Sequence, residues 1–78
     1  MRVRLFAALR ELAGTSELDV DAPPDVGSLL DQLSEKLGPE FERIMRVGTV
    51  VVDGETVGRE HPLKPEDEAA LLPPVSGG

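Results

Sequence analysis

Residues 23–39 read PPDVGSLLDQLSEKLGP and predict the helix around which the rest of this chain is organised. Asp25 is a residue type that caps helix amino ends, and Gly38 followed by Pro39 is a stop signal. Between these signals the apolar side chains recur at helical spacing along one stripe, at Val26, Leu29, Leu30, Leu33 and Leu37. A helix of about four turns with one apolar stripe must pack that stripe against a second layer.

The residues before this helix predict two strands of that second layer. Residues 2–8 alternate, with Val3, Leu5 and Ala7 on one side and Arg2, Arg4 and Phe6 on the other. The segment Leu9 to Leu12 is expected to form a short turn closed by Gly14. In residues 17–22 acidic side chains alternate with apolar ones, which predicts a second strand with an acidic outer face.

The residues after the helix predict two or three further strands. Residues 40–48 are ambiguous and look like a short apolar turn that plugs one end of the core. Val50 to Val52 is a strand pattern, and Asp53-Gly54 is a turn signal that leads into a short strand around Thr56 and Val57. Residues 68–72 predict the last strand. The order of hairpin, helix and strands is that of an α+β β-grasp roll, with a mixed sheet of four to five strands on one main helix.

The composition and net charge of the chain limit the kinds of partner that it is expected to bind. The chain has 78 residues, a length that suits one domain, and 15 acidic against 8 basic residues give a formal charge of −7. This charge repels a phosphate backbone, so we expect no nucleic acid partner and favour a basic protein surface. We find no apolar stretch long enough for a signal peptide or a membrane helix, and we predict a cytoplasmic protein with no membrane partner. With no cysteine, and with His61 the single histidine, no metal site is predicted.

The last six residues predict an arm that leaves the folded body. Pro73 and Pro74 have no amide hydrogen to donate, so we expect a β-grasp domain over residues 1–72 and a flexible tail over 73–78. Fully extended, the tail could reach about 20 Å, at roughly 3.3 to 3.6 Å for each residue. Gly77 and Gly78 have no side chain and can pass through a channel too narrow for other residues.

Gly78 ends in an α-carboxylate, which is ionised at neutral pH and resists nucleophilic attack. Adenylation by ATP on a partner enzyme would make its carbonyl carbon electrophilic, and sulfur from a persulfide could then displace the nucleotide. The product would be a thiocarboxylate, a sulfur nucleophile that needs no cysteine in the carrier. A terminal Gly-Gly alone is weak evidence for this chemistry, because glycine ends are often frayed.

Two stretches resemble the small subunits of molybdopterin synthase and their relatives in thiamine biosynthesis, the MoaD/ThiS family of ubiquitin-like sulfur carriers. The first is Leu5-Phe6-Ala7-Ala8-Leu9-Arg10-Glu11-Leu12-Ala13-Gly14, and the second runs from His61-Pro62-Leu63 to Pro73-Pro74-Val75-Ser76-Gly77-Gly78. The paired prolines of this ending favour the molybdopterin branch. Asp53 and the segment Lys64-Pro65-Glu66 depart from the usual pattern, and both lie in predicted turns.

The resemblance implies a function and a set of partners. The chain would be a non-catalytic subunit of a heterotetramer with the large subunit of molybdopterin synthase. Gly78 would be adenylated by an enzyme related to ubiquitin activators and would then deliver sulfur to cyclic pyranopterin monophosphate. The chain itself would bind no cofactor, because ATP is used by the activating enzyme. Phe6 and Leu72, with Pro73, Pro74 and Val75, would contact the large subunit.

Several alternatives remain open at this level. Phe6 could instead cover a satellite core beneath the turn at residues 9–14. The sulfur could serve thiamine or tungsten cofactor synthesis. The same activated end could be joined to lysines of other proteins, as in a ubiquitin-like modifier, or the chain could be a plain interaction domain whose tail is incidental.

Overall fold

The computed structural model describes residues 1–74, and the predictions for Val75, Gly77 and Gly78 lie outside these residues. The elements follow in the order β1 (Arg2–Leu5), α1 (Ala8–Ala13), β2 (Glu17–Asp19), α2 (Val26–Leu37), α3 (Pro39–Arg46), β3 (Thr49–Val52), β4 (Glu55–Val57) and β5 (Glu68–Leu72). The predicted α+β β-grasp roll is confirmed: a five-stranded mixed sheet packs on the main helix, α2.

The amino end of α2 is held by the residue that the sequence predicted. The Asp25 carboxylate accepts a hydrogen bond from the backbone N–H of Ser28 at 2.8 Å. This bond lowers the pKa of Asp25 below its ordinary value, because it favours the charged carboxylate. At the other end, Gly38 has a φ of 95° and its N–H donates to the carbonyl of Ser34. Pro39 then opens α3 instead of ending all helical structure, since its fixed φ suits a first helical position.

The sheet has the strand order β2-β1-β5-β3-β4, so the last strand lies at its centre. β5 runs parallel to β1, with Leu71 opposite Leu5, and antiparallel to β3, with Leu72 opposite Thr49. The Asp53-Gly54 turn joins β3 to β4 with positive φ at both residues, 48° and 88°. Both values suit a two-residue hairpin that follows the twist of the strands.

One apolar core lies between α2 and the inner face of the sheet. Side chains alternate along the strands, so Val3 and Leu5 of β1 and Leu71 of β5 point inward and are almost fully buried. The remaining buried apolar residues are Leu9, Val26, Leu29, Leu30, Leu33, Phe41, Met45, Val50, Val52, Leu63 and Ala69. Phe41 and Met45, from the segment predicted as a plug, both belong to this core.

Three predictions about local structure were wrong. β1 ends at Leu5, not at residue 8, because the chain turns at Ala7, which has a φ of 52° and is exposed instead of facing the core. The predicted turn after it is the helix α1, which Gly14 ends in the left-handed conformation. The segment 40–48 is also largely helical, since α3 spans Pro39–Arg46 and packs against α2.

Candidate functional site

The candidate site is the place where the chain leaves the sheet, which we call the tail root and define as Leu72, Pro73 and Pro74. Leu72 is the last residue of β5, which lies between β1 and β3, and it is paired with Thr49 of β3, while the preceding Leu71 is paired with both neighbouring strands. Pro73 and Pro74 lie outside the strand, as predicted from their missing amide hydrogens. The tail root is therefore anchored in the central strand and not in a frayed edge.

Phe6 lies beside the tail root. Leu5 and Leu71 are register partners on parallel strands, so the next residue on each chain, Phe6 and Leu72, follows at the same end of the sheet. Phe6 is 37% exposed, and the guanidinium carbon of Arg4 lies 5.9 Å from the centroid of its ring. An exposed aromatic ring with an arginine over it is the kind of surface that protein partners commonly bury.

The outer face of the sheet extends this surface. Arg4, Ala70 and Val51 form one row across three strands, with Ala70 paired to both of the others. Leu72 projects to the same side as Ala70, because the intervening Leu71 points into the core. Sequence reasoning found Phe6 and Leu72 but not Ala70 and Val51, because uninterrupted apolar runs do not reveal which residue faces outward.

Another exposed apolar residue, Val47, lies on the β3 side of the tail root. Val47 is 66% exposed and joins α3 to β3, just before Gly48 and Thr49. Gly48 lies so close to the tail root that an added Cβ would stand 2.6 Å from the carbonyl oxygen of Leu72. No sequence signal identified these two residues, since they fall in the segment whose structure was ambiguous.

A second surface feature is a cleft between α2, α3 and β4. Its rim carries Arg46 and Arg59, and its floor includes Leu30, Met45 and Val57. Arg46 pairs with Glu42 at 3.1 Å, and Arg59 pairs with Asp31 at 3.1 Å. Since both guanidinium groups are matched by carboxylates, the local charge is largely balanced, and the tail root is the stronger candidate for function.

The order of elements, the mixed sheet and the central last strand that leads into the tail place this chain among the ubiquitin-like proteins. The ThiS family profile matches residues 3–78, and the chain belongs to this family of ubiquitin-like sulfur carriers.

Within residues 1–74, no helix combines the length and apolar character needed to cross a membrane.

Two curated relatives span the chain. It is 38% identical to small archaeal modifier protein 1 of Haloferax volcanii, with all of both chains covered. It is 33% identical to the molybdopterin synthase sulfur carrier subunit of Escherichia coli, with 100% of this chain and 99% of the relative covered.

Two solved structures have the same fold. The solution structure of small archaeal modifier protein 1 from Methanosarcina acetivorans has a TM-score of 0.85 and 33% identity, covering 99% of this chain and 94% of that one. A complex of subunits 1 and 2 of the molybdopterin-converting factor from Helicobacter pylori contains a chain with a TM-score of 0.70 and 24% identity, covering 99% and 96%. In that complex the matching fold is seen with a second subunit.

Proposed function

We propose that this chain is a sulfur carrier whose working group is the carboxyl group of Gly78, and that it serves as the small, non-catalytic subunit of a molybdopterin synthase. The observation that carries the proposal is the ending Pro-Pro-Val-Ser-Gly-Gly on a chain whose family match runs through Gly78. It is supported by the tail root, where the sheet ladder ends and two prolines begin the arm.

The chemistry requires activation of the carboxylate, because its charge repels nucleophiles. An adenylating enzyme related to ubiquitin activators would transfer AMP from ATP to Gly78 and release pyrophosphate. The terminal sulfur of a persulfide would then displace AMP and form an acyl disulfide, and a second thiol would cleave its S–S bond, forming a disulfide with the donor and releasing the thiocarboxylate. The contribution of this chain is an accessible carboxyl group and not a catalytic side chain. A glycine end leaves the carbonyl carbon unhindered, and Gly77 has no side chain that would block a narrow channel.

The partner for sulfur delivery would be the large subunit of the synthase, in a heterotetramer that converts cyclic pyranopterin monophosphate to the dithiolene of molybdopterin. Phe6, Ala70, Val51 and Leu72 offer that subunit an apolar patch beside the tail root, with Arg4 at its edge. The net charge of −7 favours a basic docking surface on the partner. Because activation consumes ATP, the proposal includes a cytoplasmic location.

Mass spectrometry tests the sulfur chemistry directly. Incubation with ATP, a sulfur donor and the adenylating enzyme from the same organism should add about 16 Da at Gly78, since sulfur replaces oxygen. A chain lacking Gly78 is the matched control and should gain nothing. If the full chain gains no mass beside an enzyme that loads another carrier, the proposal fails.

A second candidate function is covalent modification of proteins, and the identity with the Haloferax volcanii modifier protein favours it. The adenylate that accepts sulfur can also be captured by a lysine amine, which forms an isopeptide bond and releases AMP. Immunoblots of native cell lysate separate the two functions. A ladder of larger species that disappears on deletion of Gly78 supports modification, whereas free monomer plus one stable complex supports the synthase.

A further inference from the structure

Gly48 is pressed against the tail root more closely than any side chain would allow. An ideal Cβ built on it stands 2.6 Å from the carbonyl oxygen of Leu72, 3.0 Å from the sulfur of Met45 and 3.2 Å from the carbonyl oxygen of Ile44. Two of these three atoms belong to the backbone and cannot rotate away. Gly48 also precedes Thr49, the register partner of Leu72, so the contact lies beside the last rung of the β3–β5 ladder.

The requirement for glycine here is space and not backbone conformation. Among residues 1–74 the glycines with positive φ are Gly14, Gly38 and Gly54, and Gly48 is not one of them. Alanine could therefore adopt the backbone angles of Gly48. It would instead force the Leu72 carbonyl, or the end of α3, to move.

A displaced Leu72 carbonyl changes the direction in which the tail starts. The carbonyl oxygen of Leu72 shares one planar peptide unit with the nitrogen and Cα of Pro73, so the three atoms move together. Pro73 and Pro74 each have a fixed φ, and a residue before proline is itself restricted, so the change is passed along the arm. A rotation of about 10° of this peptide unit would therefore turn the start of the arm, at Pro73 and Pro74, through a similar angle.

We propose that Gly48 is a positioning residue for the carboxyl tail: its missing side chain lets the α3–β3 junction pack against Leu72 and set the direction of the paired prolines, from which Gly78 must reach the active site of the adenylating enzyme. The inference rests on the proposed sulfur-carrier function. Gly48 touches no reacting atom and acts only through the tail root. Misplacement of a reacting group by about 1 Å can cost about 100-fold in rate. A small change in the direction of the tail root is therefore expected to slow sulfur loading measurably.

The test compares Gly48→Ala with Gly58→Ala. Gly58 follows β4, two strands from β5, and also lacks a positive φ. Its added Cβ would meet the carboxylate oxygens of Glu60 at 3.3 and 3.4 Å, and this exposed side chain can move aside. Each variant is incubated with the cognate adenylating enzyme, ATP, a persulfide sulfur donor and a thiol reductant over a range of carrier concentrations. Rates are divided by the folded fraction at the assay temperature, measured by circular dichroism.

We expect Gly48→Ala to lower kcat for thiocarboxylate formation by about 10-fold or more while KM changes by no more than about twofold, because the body still docks. Gly58→Ala should stay within about twofold of the unchanged chain in both constants. A variant that is merely less stable would show a normal kcat once the folded fraction is taken into account. A normal kcat for Gly48→Ala beside a normally loaded wild type overturns the inference and leaves the proposed function standing. A wild type that does not load contradicts the proposed function itself.

The double variant Pro73→Ala/Pro74→Ala keeps the inference testable if Gly48→Ala does not fold. It removes the two fixed φ angles that follow Leu72 and so frees the direction in which the arm leaves the sheet, while Gly48 and its contact with Leu72 are kept. We expect kcat to fall in this variant, whereas a normal kcat would show that the direction of the tail root does not matter.

Discussion

Replacing Leu33 by alanine is expected to destabilise the body while leaving the chemistry of the tail intact. Leu33 lies on the buried stripe of α2, is 2% exposed and belongs to the single apolar core. Truncation of such a leucine costs about 2–5 kcal/mol, from lost apolar burial plus the cavity left behind. A domain of this length has a total stability of about 4–12 kcal/mol, so the variant should lose a large share of it.

The measurement is urea unfolding followed by circular dichroism, beside sulfur loading at a temperature where Leu33→Ala is still mostly folded. We expect a lower urea midpoint but an unchanged loading rate for each folded molecule. Gly77→Leu is the reciprocal variant: it should abolish loading and leave the midpoint unchanged, because Gly77 follows the end of β5 and both prolines. If both variants lowered stability alike, or if Leu33→Ala slowed loading per folded molecule, the division into body and arm would be wrong.

Three shorter predictions concern other parts of the molecule. Phe6→Ala should weaken binding of the large subunit by about 10-fold or more in a titration calorimetry experiment while changing stability little, because the ring is exposed; unchanged affinity contradicts the docking surface. Gly54→Ala should cost about 1–2 kcal/mol in urea unfolding, since it forces a side chain to a φ of 88° in open space, whereas Gly58→Ala should cost less. The pKa of Asp25 is lower in the folded state than in the unfolded state, so its charged carboxylate stabilises the fold at pH values above the unfolded-state pKa. This stabilisation is lost as the pH falls through the folded-state pKa. The stability gap between wild type and Asp25→Asn should therefore shrink from about pH 6 to about pH 2.5, and a gap that widens on acidification refutes this.

The sequence predicted those parts of the fold that depend on a property that few residue types have. Asp25 caps α2 because its carboxylate reaches a free backbone N–H, and Gly54 closes the β3–β4 turn because the turn needs positive φ. Pro73 ends β5 because it has no hydrogen for the ladder. The apolar stripe of α2 and the alternation in β1 have the two periods that distinguish helix from strand.

The parts that the sequence did not predict depend on tertiary contacts. Ala7 continues the alternation of β1, and nothing in its side chain indicates that the backbone will turn there with a φ of 52°. The segment that forms α3 is short, so its period is hard to distinguish from that of a turn, and its helix is stabilised by packing Phe41 and Met45 into the core. For the candidate site, Phe6 and Leu72 were predicted. Gly48 was not, because its role depends on a contact with a residue 24 positions later in the chain.

The position of β5 at the centre of the sheet bears on how firmly the start of the proposed tail is held. A strand at the edge of a sheet is paired on one side, and its end can fray with the loss of a few hydrogen bonds. β5 lies at the centre, where Leu71 is paired with Leu5 of β1 and Val50 of β3, and Leu72 is paired with Thr49 of β3. Fraying that reached Leu71 would break pairs on both sides and expose its buried side chain. The topology therefore places a strand that is paired on both sides directly before Pro73, so that binding energy gained by a partner at the tail is not spent on ordering this strand.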